Sequence, residues 1–288
     1  MSIIFCDSNC ELWFDKAEAL GLQVIKMPYT IEGVQYDYDL GKNTDFKKFY
    51  DMIRHGSMPI TSALNPQNYV NYFEPFLKSG QDILYITFSH KLSGTFEFMK
   101  TAIAELKEKY PERTINYVDT QSVSVGAGLI VYEAALLKQK GATDSEIIEF
   151  VNSFKQNVAA YFFVESLQHL KRGGRISPMA AMIGGMLQVK PLLAIDTEGK
   201  LVSVDKISGR KKAINELFER LKALGQNVAD HPICIMHADS LSDAEFLAEK
   251  VRAFAPEANI WIQPIGPTVG THCGPETLAI VFHASKRI

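Results

Sequence analysis

Ser89-His90-Lys91-Leu92-Ser93-Gly94-Thr95 joins a strand-like run, DILYITF, to a helix-like one, FMKTAIAELKEKY. Hydroxyls and a glycine at such a junction can satisfy the free N–H groups of a first helical turn. At the positive end of the helix dipole the same groups can hold a carboxylate or a phosphate. Three more loops of this composition follow strand-like runs. They are Asp7-Ser8-Asn9, Thr61-Ser62-Ala63-Leu64-Asn65-Pro66, and Asp119-Thr120-Gln121-Ser122 continuing to Ser124, Gly126 and Gly128. In open α/β sheets ligands bind outside the carboxyl ends of the strands, where such loops converge. One of these loops alone reads as a cap; four on one edge suggest an anion site.

The C-terminal counterpart is IGPTVGTHCGPETLAIVF. It reads as a tight loop pivoted on Gly266, Pro267, Gly270, Gly274 and Pro275, carrying Thr271 and His272. A loop histidine can donate to an anion or act as acid or base, although a lone one more often bonds to backbone. In LKRGGRIS, Lys171, Arg172 and Arg175 surround a glycine pair. Such a turn could meet a phosphate but lacks the order of a P-loop. The Met-rich stretch that follows, Met179 to Leu187, could line an apolar tunnel or pack an interdomain core.

Other chemistries lack their patterns. GAGLIV has Val131 where a dinucleotide fingerprint needs glycine or alanine, and KLSGT is not a nucleophile elbow. No His, Cys, Asp or Glu cluster has metal spacing, so no metal or organic cofactor is expected. A serine-dependent hydrolase or acyltransferase is still an alternative, with Ser93 as nucleophile, His272 or His90 as base and Asp119 as orienter. A phosphate-ligand sensor built on the KRGGR turn is a third.

The elements that must position these residues alternate. Strand-like runs, among them SIIFCD, LQVIKMPY, DILYITF, TINYVDT and AAYFFVES, are separated by helical patterns such as DFKKFYDMIRHG and PQNYVNYFEPFLKSG. That alternation predicts an α/β fold with largely parallel strands. Near residue 155 the pattern changes: LLAIDTEGKLVSVDKI reads as a hairpin, which implies an antiparallel pair. Two α/β domains are therefore expected, 1–155 with a mainly parallel sheet and 156–288 with a mixed one. The 288 residues are 47% hydrophobic and 22% charged, enough for a real core in each half. A net charge of −3 with no basic run argues against a nucleic-acid or membrane surface. MSIIFCDSN lacks the features of a signal peptide, no apolar run is long enough for a membrane span, and the four cysteines form no paired pattern. A cytoplasmic protein is expected.

Thr61-Ser62, KLSGT at 91–95, VDTQSVSVGAG at 118–128, LKRGGRIS at 170–177 and GPTVGTHCGP at 266–275 occur in this order across nearly the whole chain. Together they resemble the signature stretches of the bacterial DegV family, which includes the fatty-acid-binding subunits of fatty acid kinase. The resemblance implies a DegV-like pair of α/β domains with a long-chain fatty acid buried between or beneath them. Carried onto this chain, it implies that Thr61 or Ser62, Ser93 with the Gly94 amide, and His272 grip the carboxylate. It also implies a carrier with no turnover of its own, presenting that carboxylate to a fatty acid kinase catalytic subunit. Arg175, Arg210 and Thr271 would then face the partner or the phosphate. Glu11 stands where the family commonly has Asp, and Ser208 where its fatty-acid-kinase subunits tend to place Arg.

Overall fold

The structure is a computed structural model describing residues 2–176 and 189–288. Met179 to Leu187, read above as a tunnel lining or packing segment, lies outside the described residues. In the first half, strands Ile3–Asp7, Gln23–Ile25, Ile83–Thr87 and Ile115–Asp119 form one sheet with all neighbours parallel. Gln23–Ile25 lies on one edge, beside Ile3–Asp7. Ile83–Thr87 is buried at every position, as an inner parallel strand covered on both faces must be. Its continuous apolar run is the sequence trace of that position.

In the second half a six-stranded mixed sheet is built around Val158–Phe163 and Leu278–His283, which pair antiparallel. The predicted hairpin forms, Val189–Ile195 pairing antiparallel with Leu201–Ser208. Among the described strands of this sheet, only Ile233–His237 and Ile260–Pro264 pair parallel. Alternation divides the sheet's two faces. Ala159, Tyr161 and Phe163 pack under the helices Arg210–Leu224 and Leu241–Phe254. Val158, Ala160 and Phe162 point the other way, into a core that also holds Ile4, Phe73 and Val125 from the first half. The interior is thus continuous between the two sheets.

Two local features depart from the sequence reading. LQVIKMPY is not one strand. Its first part, Gln23–Ile25, joins the parallel sheet, and its second part, Pro28–Ile31, turns into a small antiparallel sheet with Val34–Asp37 and Ile60–Thr61. At the break, the Met27 N–H donates to Ser8 Oγ at 2.9 Å and the Lys26 N–H to the Tyr72 hydroxyl at 3.1 Å, so neither joins a ladder. The unread signal was Glu32-Gly33. Both residues have positive φ, 49° and 77°, as a two-residue type I′ hairpin requires. The second departure is Pro267–Cys273, read as a loop but folded as a short helix. Pro267 occupies its first turn, where a missing N–H costs nothing. Gly270 is there for space, since a Cβ would meet the Tyr50 hydroxyl at 2.5 Å.

Candidate functional site

Between the carboxyl ends of the parallel strands and the inner face of the mixed sheet lies a cavity of about 200 Å³. Phe88 and Val123 from the first half, with Ala160, Met236, Ala279 and Val281 from the second sheet, make an apolar body. Thr61, Ser62, Ser93, Gly94, Thr268 and His272 are among the polar groups of its lining. Ser62 and Gly94 are exposed, so this polar cluster stands at the mouth. Five sequence-predicted residues, Thr61, Ser62, Ser93, Gly94 and His272, are therefore brought together from loops far apart in the chain.

Each arrives by a different device. Thr61 ends the short strand Ile60–Thr61, fixed by pairing with Tyr29. Ser93 and Gly94 precede the fifteen-residue helix Thr95–Lys109, whose N-cap, Gly94, provides no side-chain cap. The Thr95 N–H donates to Ser93 Oγ at 3.3 Å, which leaves the serine hydroxyl hydrogen free to donate. His272 lies in the last turn of Pro267–Cys273, and Thr268 sits one turn earlier on the same face. Nothing in the sequence marked Thr268. Its buried hydroxyl has no hydrogen-bond partner among the described residues, which only the folded chain discloses.

His272 Nε2 is 2.9 Å from Thr61 Oγ1. Burial, reinforced by the nearby Arg175 and Arg172 guanidinium groups, pushes the His272 pKa down to about 4. The ring is therefore neutral at pH 7. Its Nδ1 is buried and has no hydrogen-bond partner among the described residues. An Nε2–H donated to Thr61 leaves the threonine hydroxyl hydrogen to meet an acceptor in the cavity, so histidine and threonine act as a two-step donor. Arg175 also lines the cavity. Its Nε donates to the Leu92 carbonyl at 3.1 Å and it bonds the Gly173 carbonyl as well.

Arg210 and Thr271 stand apart from the lining. Thr271 is one position from His272 and so points about 100° away around the helix. Its hydroxyl donates to the Pro267 carbonyl at 2.8 Å. Arg210 is held by Asp243, Glu165 and the Glu276 carbonyl, with its guanidinium over the Phe163 ring. His90 pairs with Asp119, but among the described residues no hydrogen bond joins Ser93 to His90 or His272. A serine nucleophile would need that bond to its base.

Glu11, the departure noted above, crosslinks the two halves. It is buried and accepts hydrogen bonds from the Ser124 hydroxyl and the Gly266 N–H. Desolvation outweighs both and pushes its carboxyl up to about 8; Asp7, also buried, rises to about 7. For an acid with a raised folded-state pKa, the folded state holds its proton longer than the unfolded chain does. Stability is then complete below the unfolded value and lost as pH climbs through the folded one. Glu11→Gln should flatten that loss between about pH 5 and about pH 8, measured by urea unfolding at both ends. An unchanged slope would remove Glu11 as its source.

Chemically, the arrangement suits a long apolar molecule with one acidic end. Among the described residues its lining has no carboxylate and, in Arg175, one cation. An α/β protein with an apolar cavity between its two larger sheets, and mostly neutral donors at the mouth, defines a ligand-binding class. The family model for uncharacterised proteins of the DegV family matches residues 2–285, and the chain belongs to that family. A DegV domain-containing protein of Clostridium perfringens is 40% identical over 280 residues, 97% of this chain and 96% of the relative. A solved structure described as DegV, a fatty acid binding protein from Bacillus subtilis, is similar with a TM-score of 0.80 at 28% identity over 97% of each chain. Another, titled for fatty acid binding of a DegV family protein from Thermus thermophilus, has a TM-score of 0.85 at 25% identity, covering 98% of this chain and 99% of that one.

Proposed function

We propose that this protein is a carrier that holds one long-chain fatty acid, with its tail in the cavity and its carboxylate at the mouth. Thr61, Ser62, Ser93, the Gly94 amide and His272 grip the carboxylate. The observation that carries this reading is the division of the cavity: an apolar body, and hydroxyl and imidazole donors gathered at the exposed end of a helix N-terminus. A buried carboxylate needs such donors once it leaves water. Burial of the tail contributes about 0.8 kcal/mol per methylene, so the tail supplies most of the affinity. The fatty-acid-binding relatives at 25% identity or more support the same reading. Residues 1–155 and 156–288 act as the two domains whose facing surfaces enclose the chain.

Neutral donors leave a carboxylate oxygen open to phosphorylation, so the carrier presents it to a separate kinase in the cytoplasm. Arg175, at the mouth, is the residue best placed to meet the added phosphate. Arg210 and Thr271 contribute to the partner-facing surface beyond it. The test is native mass spectrometry of the purified protein, followed by organic extraction. A stoichiometric fatty acid that is lost in the Ser93→Ala/His272→Ala double variant is the expected result. An empty protein that also ignores added fatty acid overturns the proposal.

A further inference from the structure

Two histidines and two glycines interlock beside the mouth. Gln168–Arg172 and Pro267–Cys273 are short helices, each followed by a glycine, Gly173 and Gly274. A Cβ on Gly173 would stand 2.2 Å from His272 Nδ1 and 3.0 Å from its Cε1. A Cβ on Gly274 would stand 2.4 Å from His169 Cδ2. Each helix therefore sets its histidine ring on the bare glycine that ends the other. Only hydrogen at Cα leaves room for an imidazole at that separation.

We propose that Gly173 is a positioning residue of the carboxylate site: its missing side chain seats the His272 ring in the orientation that bonds Thr61. The role of Gly173 is steric and not conformational. Its φ of −72° and ψ of −10° are right-handed helical values that alanine adopts freely. Its neighbour Gly174 is the converse case. It has φ of +69° and nothing within 4 Å of an added Cβ, so alanine there strains the turn without touching the ring. The sequence pair Gly-Gly thus combines two requirements, close approach at the first position and a left-handed backbone at the second. The turn is pinned on its far side by Arg175, which bonds the Gly173 carbonyl and, at 3.1 Å, the carbonyl of Leu92 next to Ser93. One turn therefore touches both the histidine arm and the serine arm of the site.

The inference rests on the fatty-acid reading for its ligand but not for its geometry, and the experiment separates the two. The imidazole resonances of His272 are followed by ¹H–¹⁵N NMR in the ligand-free protein, and oleate affinity is measured by calorimetry. In Gly173→Ala the His272 resonances should shift and oleate should bind at least about tenfold more weakly, the cost of a misdirected hydrogen bond to a charged group. Gly174→Ala should lower the melting temperature while moving both readouts much less than Gly173→Ala does, since its added Cβ does not meet the ring. In a His272→Ala background, adding Gly173→Ala should change affinity by less than about twofold, because the target of the clash is gone. If Gly173→Ala does not fold, His272→Ala should rescue it, and failure of that rescue overturns the proposal. Unmoved His272 resonances, an equal effect from Gly174→Ala, or a full tenfold loss in the His272→Ala background overturn it too. Shifted resonances in a protein that binds no fatty acid would uphold the seat of the ring and sink the fatty-acid reading alone.

Discussion

Ala279→Phe should weaken stearate binding by ~100-fold or more while leaving decanoate almost untouched, because each displaced methylene forfeits about 0.8 kcal/mol and the loss of about four is about 3 kcal/mol. Ala279 lies on the inner face of the mixed sheet, across from Met236 on one side and Phe162 on the other, and it lines the cavity. Its small side chain leaves space between two large ones. A phenyl ring there would occupy much of a cavity of about 200 Å³. A short acyl chain would end before the ring; a long one would meet it. Titration of both acids into wild type and variant checks this. Equal weakening of the two would mean that the ring disturbs the mouth or the fold. Equal affinity for stearate would mean that the tail lies elsewhere.

His272→Ala should have the complementary signature: both acids weakened by the same factor, between about tenfold and about a hundredfold. That range corresponds to about 1.5–3 kcal/mol for a hydrogen bond that serves a charged group. The imidazole is neutral, with a pKa of about 4, so what it contributes is a directed N–H and not a charge. His272→Gln can place an amide N–H near the position of Nε2 and should recover part of the loss. Thr61→Val should match His272→Ala, because histidine reaches the ligand through the threonine hydroxyl, 2.9 Å from Nε2. If His272→Ala left the affinity of both acids unchanged, the two-step donor would be excluded.

The α/β class, the parallel first sheet and the mixed second sheet were legible because each rests on a local signal. DILYITF is a continuous apolar run, and that is what burial on both faces imposes on an inner parallel strand. TEGK sits between two strand-like runs, and the hairpin forms there. The small sheet carrying Thr61 was not legible, since Val34–Asp37, although it alternates apolar and polar residues, is only four residues long and exposed at every position. The helix holding His272 was hidden for a different reason. Its glycines look like loop punctuation, whereas Gly270 admits the Tyr50 hydroxyl from a distant helix. A contact of that kind leaves no periodic trace in the sequence.

Residue type and order alone determined which groups could hold an anion: hydroxyls and a glycine before a helix, and a histidine between two glycines. Those are properties of short segments, and short-range chemistry is written in consecutive residues. Only the tertiary structure decided that Thr61 and His272 share a hydrogen bond across 211 positions, that Thr271 turns away, and that Arg210 is tied up by Asp243 and Glu165. The same holds for Gly173, whose missing side chain is explained by a ring nearly a hundred residues downstream. Such facts follow from where two sheets bring their loops together, and that placement is set by the sum of many core contacts and by no single stretch of chain.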